Sequence, residues 1–108
     1  MSAGIAWVLL VVSGLLDVAW ALSMKQAQGY TRLGWSVVSL VLLGLFVYLL
    51  GLALRVLPVG TAYAVWTGIG AVGAVALGIL LFDEPVTAVR IGSIALVVTG
   101  IIGLKLSE

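Results

Sequence analysis

Cysteine and histidine are absent from the sequence, and charge is scarce. Its 108 residues include five basic and four acidic side chains, for a formal net charge of +1. Without cysteine or histidine, the chain has no disulfide, no thiolate or imidazole catalyst and none of the usual zinc ligands. The small net charge does not indicate a nucleic-acid partner. We therefore expect no metal and no cofactor, and no nucleophile–base pair indicates an enzyme.

Hydrophobic residues make up 64% of the chain, which is the composition of an integral membrane protein. Four continuous apolar runs predict transmembrane helices over residues 4–24, 33–54, 59–82 and 87–106 of a single domain. Strands of a membrane barrel would alternate apolar and polar residues, and these runs do not. The N-terminus lacks the features of a signal peptide, so we expect the first run to stay as a helix. The predicted fold class is an all-α membrane protein.

Asp17 is the only charged residue in the run from Gly4 to Met24. A helix over this run is about 30 Å long, like the bilayer core, so Asp17 lies inside the hydrocarbon. A carboxylate at the centre of a span costs roughly 2.5–3.5 kcal/mol on insertion scales, which indicates a function. We expect a proton or cation site. The alternative is an acid that stays protonated and donates a hydrogen bond to a neighbouring helix.

Residues three and four positions away from Asp17 share its face of helix 1. Among them, Ser13 and Gly14 precede Asp17, and Trp20 follows it. Glycine lets another backbone or a ligand approach the carboxylate, and the face of the Trp20 ring attracts cations. These three residues are therefore candidate members of the site. Trp20 has a second interpretation, as an anchor at the membrane surface.

Helix 3 carries Tyr63 and Trp66 one turn apart, with Thr67 beside them. The Tyr63 O–H and the Trp66 N–H need partners in lipid, and the Asp17 carboxylate is a suitable acceptor. We therefore expect these side chains to line the site. The alternative is that they pack in an ordinary core.

Small residues indicate where helices bend or meet. Gly68 and Gly70 weaken helix 3 locally, which predicts a hinge, although glycines also occur in static membrane helices. Helix 4 has a face of small residues that predicts a contact between two copies of the chain, with packing inside one chain as the alternative. The members of this small-residue face are Gly92, Ser93, Leu96, Thr99, Gly100 and Gly103.

Four helices are too few to enclose a polar pathway alone, so we expect an oligomer, most simply a pair. The basic residues near the helix ends are almost evenly divided between the two membrane sides. One side has Arg55 and Lys105, and the other has Lys25, Arg32 and Arg90. So small a difference hardly fixes an orientation, which is consistent with insertion both ways and antiparallel pairing.

Four motifs give the sequence a resemblance to a known family. They are Gly14-x-x-Asp17-x-x-Trp20-Ala-x-x-x-Lys25, Gly29-Tyr-Thr-Arg32, the block 57–73 and Thr99-Gly-Ile-Ile-Gly-Leu-Lys105. With these motifs the chain resembles the small multidrug resistance family from end to end. Trp20-Ala with Lys25 resembles its guanidinium-exporting branch rather than the branch that exports bulky quaternary ammonium ions.

The resemblance implies an antiparallel, dual-topology homodimer of four-helix subunits in a bacterial inner membrane. It also implies that protons exchange for a small guanidinyl cation at one carboxylate per subunit, which by position is Asp17. Tyr63 and Trp66 would line that site, and Gly14 and Trp20 would shape it. Helix 4 would hold the dimer together.

Two residues depart from the pattern of this family. The acid on helix 1 is usually Glu, and the shorter Asp17 retracts the carboxylate by about 1.5 Å. A serine on helix 2 usually hydrogen-bonds that acid, and this position is Phe46 here, with Ser39 two turns away on the same face. We therefore expect an altered site, with Phe46 and Thr67 as further lining residues.

Three other interpretations stay open. The altered site could admit a bulkier amine or a quaternary ammonium ion, or the chain could be one half of a heterodimer. In the third, Asp17 is a structural residue of a membrane scaffold that transports nothing. Replacement of Asp17 by asparagine separates a transporter from a scaffold, because a transporter loses proton-coupled flux but still assembles.

Overall fold

The structure, a computed structural model, describes residues 1–107 and contains four α-helices in this range. They are α1 (Ala3–Ala27), α2 (Leu33–Leu54), α3 (Val59–Phe82) and α4 (Ala88–Ser107). Each is long and apolar enough to cross a membrane. No strand occurs in the described part of the chain. The predicted all-α fold with four membrane helices is confirmed.

Four helix ends, those of α1 and α4, differ from the sequence prediction, three of them by a single residue. Helix α1 continues past Met24 to Ala27 and stops where Gln28 and Gly29 adopt left-handed φ angles of 50° and 71°. Polar side chains such as Lys25 extend a helix as readily as apolar ones, so the end of the apolar run did not mark the end of the helix. Helix α4 begins at Ala88 because Thr87 caps it: its Oγ1 accepts a hydrogen bond from the Arg90 N–H at 3.1 Å.

The four helices form a slab rather than a closed bundle. Helix α1 packs against α2 and α3, and α3 packs against α4, whereas α1 and α4 do not pack against each other within residues 1–107. The Cα atoms extend over 41 × 35 × 16 Å, and the shortest dimension is less than two helix diameters. The largest cluster of buried side chains includes Ala6, Leu10, Ala53, Ala62 and Val65. Helix α4 contributes no buried residue.

Glycines let α3 approach its neighbours closely. A Cβ atom on Gly73 would lie 2.5 Å from Val18 Cγ2, and a Cβ atom on Gly68 would lie 2.7 Å from Ile101 Cδ1. These distances are too short for a real carbon, so only glycine permits the observed packing of α3 on α1 and α4. Helix α3 runs without a break through Gly68 and Gly70. The hinge at these two residues stays a prediction.

Charged side chains join three helix ends on one side of the slab. The Glu84 carboxylate pairs with Arg90 Nη2 at 3.1 Å and with Lys25 Nζ at 3.7 Å. It lies over Gly78, where a Cβ atom would meet the Glu84 carboxylate. Lys25 Nζ also lies 4.3 Å from the centroid of the Phe82 ring. Because these groups are partly exposed, each ion pair contributes at most about 1 kcal/mol.

Replacement of Gly73 by alanine tests the close packing of α1 on α3. The added methyl group collides with Val18, so we expect a loss of about 1–3 kcal/mol of unfolding free energy. Thermal unfolding of the purified protein in detergent measures this loss. Gly44→Ala on α2 is the matched control, because a Cβ atom there has no neighbour within 4 Å. An unchanged melting temperature for Gly73→Ala would mean that α1 and α3 pack differently.

Candidate cation site

Asp17 lies on α1 directly against Gly70 of α3. A Cβ atom on Gly70 would meet Asp17 Oδ2, so a larger residue there would displace the carboxyl group. The Asp17 side chain is half-buried and forms no ion pair with any residue in the range 1–107. The structure therefore holds an acidic group within a membrane-spanning helix, on an open face and without a basic partner in the described chain.

Four aromatic rings follow one another from Trp20, which lies one helical turn after Asp17 on α1, and we call Trp20, Phe46, Trp66 and Tyr63 the aromatic row. The Phe46 ring centroid lies 5.5 Å from that of Trp20 and 5.6 Å from that of Trp66. Tyr63 extends the row with a centroid distance of 5.6 Å to Trp66. All three distances are in the favourable range for aromatic pairs. The row thus joins α1, α2 and α3 and brings together four residues that the sequence analysis considered for the site.

The two indole N–H groups of the aromatic row have no hydrogen-bond partner. Trp20 Nε1 and Trp66 Nε1 are both buried, and neither reaches an acceptor in the described part of the chain. The expectation that Trp66 donates to Asp17 is therefore wrong for this structure. A buried N–H without a partner costs about 1–3 kcal/mol. Ring packing against Phe46, rather than hydrogen bonding, holds both indoles in place.

Ser13 and Gly14 both make contacts within the chain, and their place in the cation site stays a prediction. Ser13 Oγ donates a hydrogen bond to the Phe46 carbonyl oxygen at 2.8 Å, which joins α1 to α2. Gly14 is buried under Ile69, whose Cγ2 would lie 2.7 Å from a Cβ atom at position 14. Ile69 was missed by sequence reasoning. Its position next to Gly70 was the only available signal, because a small residue and a branched one often alternate where helices meet.

Ser39 and two predicted lining residues differ in their surroundings. Ser39, which could replace the serine missing at position 46 only if the register of α2 shifted, donates to the Ser36 carbonyl oxygen at 2.9 Å within α2. Thr67 is exposed, and so is Tyr63, at 59% of its surface. Both lie on the open face of the slab. They can line an enclosed site only if another protein chain covers that face.

The small-residue face of α4 is turned away from the rest of the chain. Cβ atoms placed on Gly92, Gly100 and Gly103 would have no neighbour within 4 Å. Leu96 is 75% exposed, and Thr99 is exposed with its hydroxyl group donating to the Ala95 carbonyl oxygen at 2.7 Å. Packing inside one chain was the alternative explanation for this face, and the structure does not use the face in that way.

Comparison with known proteins gives one consistent result. The sequence pattern of the family described as Small Multidrug Resistance protein matches residues 5–97. The guanidinium exporter of Yersinia pestis is 52% identical over 103 residues, which cover 95% of this chain and 99% of that protein. The guanidinium exporter of Escherichia coli (strain K12) is 52% identical over 102 residues, covering 94% of this chain and 97% of that protein. That of Salmonella typhimurium is 51% identical over 102 residues, with the same coverage.

Proposed function

We propose that this chain, which belongs to the small multidrug resistance family, exports guanidinium and similar small guanidinyl cations in exchange for protons. The chain is a multi-pass protein of the bacterial inner membrane. The observation that carries the proposal is Asp17, an acid in a membrane-spanning helix that has no basic partner within residues 1–107 and lies one turn before Trp20 of the aromatic row. The names of the similar proteins support the choice of substrate.

The chemistry of the site fits a guanidinium ion. Guanidinium is planar and carries N–H donors along its edges, so it can give two parallel hydrogen bonds to one carboxylate. Its faces stack on aromatic rings, and the aromatic row offers such rings next to Asp17. A spherical ion would be attracted to the carboxylate and to the ring faces, but it could neither give two parallel hydrogen bonds nor stack flat on a ring. These two features together favour a flat, delocalised cation.

Proton coupling follows from a single acid that serves two ligands. The Asp17 carboxyl group binds a proton or a cation, and the low dielectric of the membrane disfavours a bare charge. The site therefore switches its opening from one membrane side to the other only when a proton or a cation is bound to Asp17. Binding of the cation on one side and of protons on the other then couples the two fluxes in opposite directions.

A second copy of the chain completes the site in this proposal. The slab provides one wall only, since Asp17, Tyr63 and Thr67 lie on its open face. An antiparallel partner would bring a second Asp17 opposite the first, in keeping with the nearly even distribution of basic residues. The three glycines of the small-residue face of α4 have no neighbour within 4 Å of a Cβ atom in the described chain, which supports a role of this face as the contact between the two copies.

Replacement of Asp17 by asparagine tests the proposed role of the acid. Asparagine has nearly the same shape but carries no charge, so we expect no uptake of radiolabelled guanidinium driven by a pH gradient across liposomes. Gly70→Ala should also lower uptake, because its methyl group displaces the carboxyl group. Asp83→Asn is the matched control, because Asp83 is exposed between α3 and α4.

The outcome of this experiment decides between the interpretations. Loss of uptake by a correctly assembled Asp17→Asn protein supports the transporter. Uptake by the variant at the level of the wild type would contradict it. A variant that fails to assemble, together with a wild type that takes up no guanidinium, would favour a scaffold. A well-folded wild type that is inactive towards guanidinium but transports a bulkier amine would show that the substrate is that amine. A wild type that is active only with a second subunit would show that the transporter is a heterodimer.

Phe46 should determine how the site ranks its substrates. Its ring is buried between the indoles of Trp20 and Trp66, and in this proposal an apolar substituent of a bound guanidinium ion packs against it. We expect Phe46→Ser to lower the transport ratio of phenylguanidinium to guanidinium about fivefold, since a contact between two aromatic rings is worth roughly 0.5–1.5 kcal/mol. Phe82→Ser, which changes the ring under Lys25, should leave this ratio unchanged. Equal ratios in all three proteins would show that Phe46 does not face the substrate.

Gly100→Leu tests the contact between two copies. A leucine side chain on the small-residue face keeps the helices apart, so we expect the dimer to dissociate about tenfold more readily, a loss of about 1.4 kcal/mol. Cross-linking over a dilution series in liposomes measures this change. Gly44→Leu, on α2 where a Cβ atom has no neighbour within 4 Å, should not alter it. A dimer that is equally stable in both variants would assign the contact to another surface.

A further inference from the structure

An apolar groove runs between α1 and α4 on the surface of α3. It exists because both helices pack on α3 but not on each other. Its volume is about 540 Å³. The apolar residues that line it include Val8, Val11, Val65, Ile69, Ile101 and Ile102. Ligand pockets have volumes of about 300–1,000 Å³, so this groove can hold a ligand of ordinary size.

The groove is separate from the cation site. Val8 precedes Asp17 by nine residues, which is two and a half helical turns, so the two side chains point to opposite sides of α1. No member of the aromatic row lines the groove. Val8 is 62% exposed and Ile102 is 56% exposed, so the groove is open along its length. In a membrane-spanning protein, such an opening at the level of these valines and isoleucines faces the hydrocarbon.

One end of the groove carries a basic residue and an indole. Lys105 lines the groove near the end of α4, and its Nζ lies 5.0 Å from the centroid of the Trp7 ring. Trp7 is near the start of α1, so both side chains lie at one membrane surface. Tryptophan and lysine are the residues that favour the level of the lipid headgroups. The groove therefore combines an apolar channel with a positive charge at its headgroup end.

We propose that this groove binds one acyl chain of an anionic phospholipid, with the phosphate of its headgroup at Lys105. The apolar walls match the acyl chain, and the ammonium group of Lys105 complements the charge of the phosphate. A second copy of the chain is the other conceivable occupant. However, the small-residue face lies on another side of α4 from Ile101, which packs towards α3, so a copy bound there leaves the groove open.

The bound lipid fills the space between α1 and α4 and so fixes the position of α4 relative to the site. This role depends on the membrane location of the chain and not on which cation is exported. The proposal can therefore succeed or fail independently of guanidinium transport.

Native mass spectrometry of the full chain, purified with an equal mixture of phosphatidylglycerol and phosphatidylcholine of identical acyl chains, tests the proposal. We expect phosphatidylglycerol to be retained about fivefold more often, as a single lysine at the membrane surface predicts. Lys105→Gln should abolish this preference. Arg55→Gln is the matched control, because Arg55 is exposed at the end of α2 and does not line the groove.

A second pair of variants tests the apolar part of the groove. Val11→Phe narrows it and should lower retention of both lipids, whereas Val47→Phe on the exposed surface of α2 should not. Inorganic phosphate should not displace the retained lipid, since the acyl chain holds it. Equal effects of Lys105→Gln and Arg55→Gln would overturn the proposal, as would unchanged lipid retention in Val11→Phe. A lower dimer fraction in Val11→Phe with unchanged lipid retention would assign the groove to a second copy.

Discussion

The contact between the Asp17 carboxyl group and the backbone of Gly70 is the constraint on which the rest of the structure depends. The free energy of placing an acid within a membrane span is unfavourable, so such residues usually have a function. Here the acid has no basic partner in the described chain. Glycine on α3 makes room for it, and any larger residue would displace it. The helices are therefore arranged so that one ionisable group stays available on an open face.

The other features of the chain follow from keeping this acid available. Gly73 brings α3 close to α1, and the Ser13 hydroxyl group ties α1 to the backbone at Phe46. The aromatic row then forms an apolar border beside the acid without donating hydrogen bonds to it. Because the slab is thin, the acid is covered from one side only. A second copy of the chain is the simplest cover, and α4, which has no buried residue, is free to bind it.

Sequence reasoning identified the four helices and Asp17 because both depend on composition along the chain. It could not foresee contacts that depend on how helices rotate against each other. The spacing of Gly14 and Ser13 placed them on the face of Asp17. It did not show whether Ile69 or a ligand would cover Gly14. Periodicity also gave no sign that the Phe46 ring would lie between two indoles. Helix ends were missed where polar residues continue or cap a helix, as at Thr87.

Proton release on binding of guanidinium tests the central claim most directly. Purified protein in a weakly buffered detergent solution receives guanidinium while a pH indicator reports released protons. If Asp17 binds either a proton or the cation, the wild type releases protons in a saturable manner, and Asp17→Asn releases none. Saturable binding of guanidinium to the wild type without release of protons would contradict the account, because cation and proton would then not share one carboxyl group.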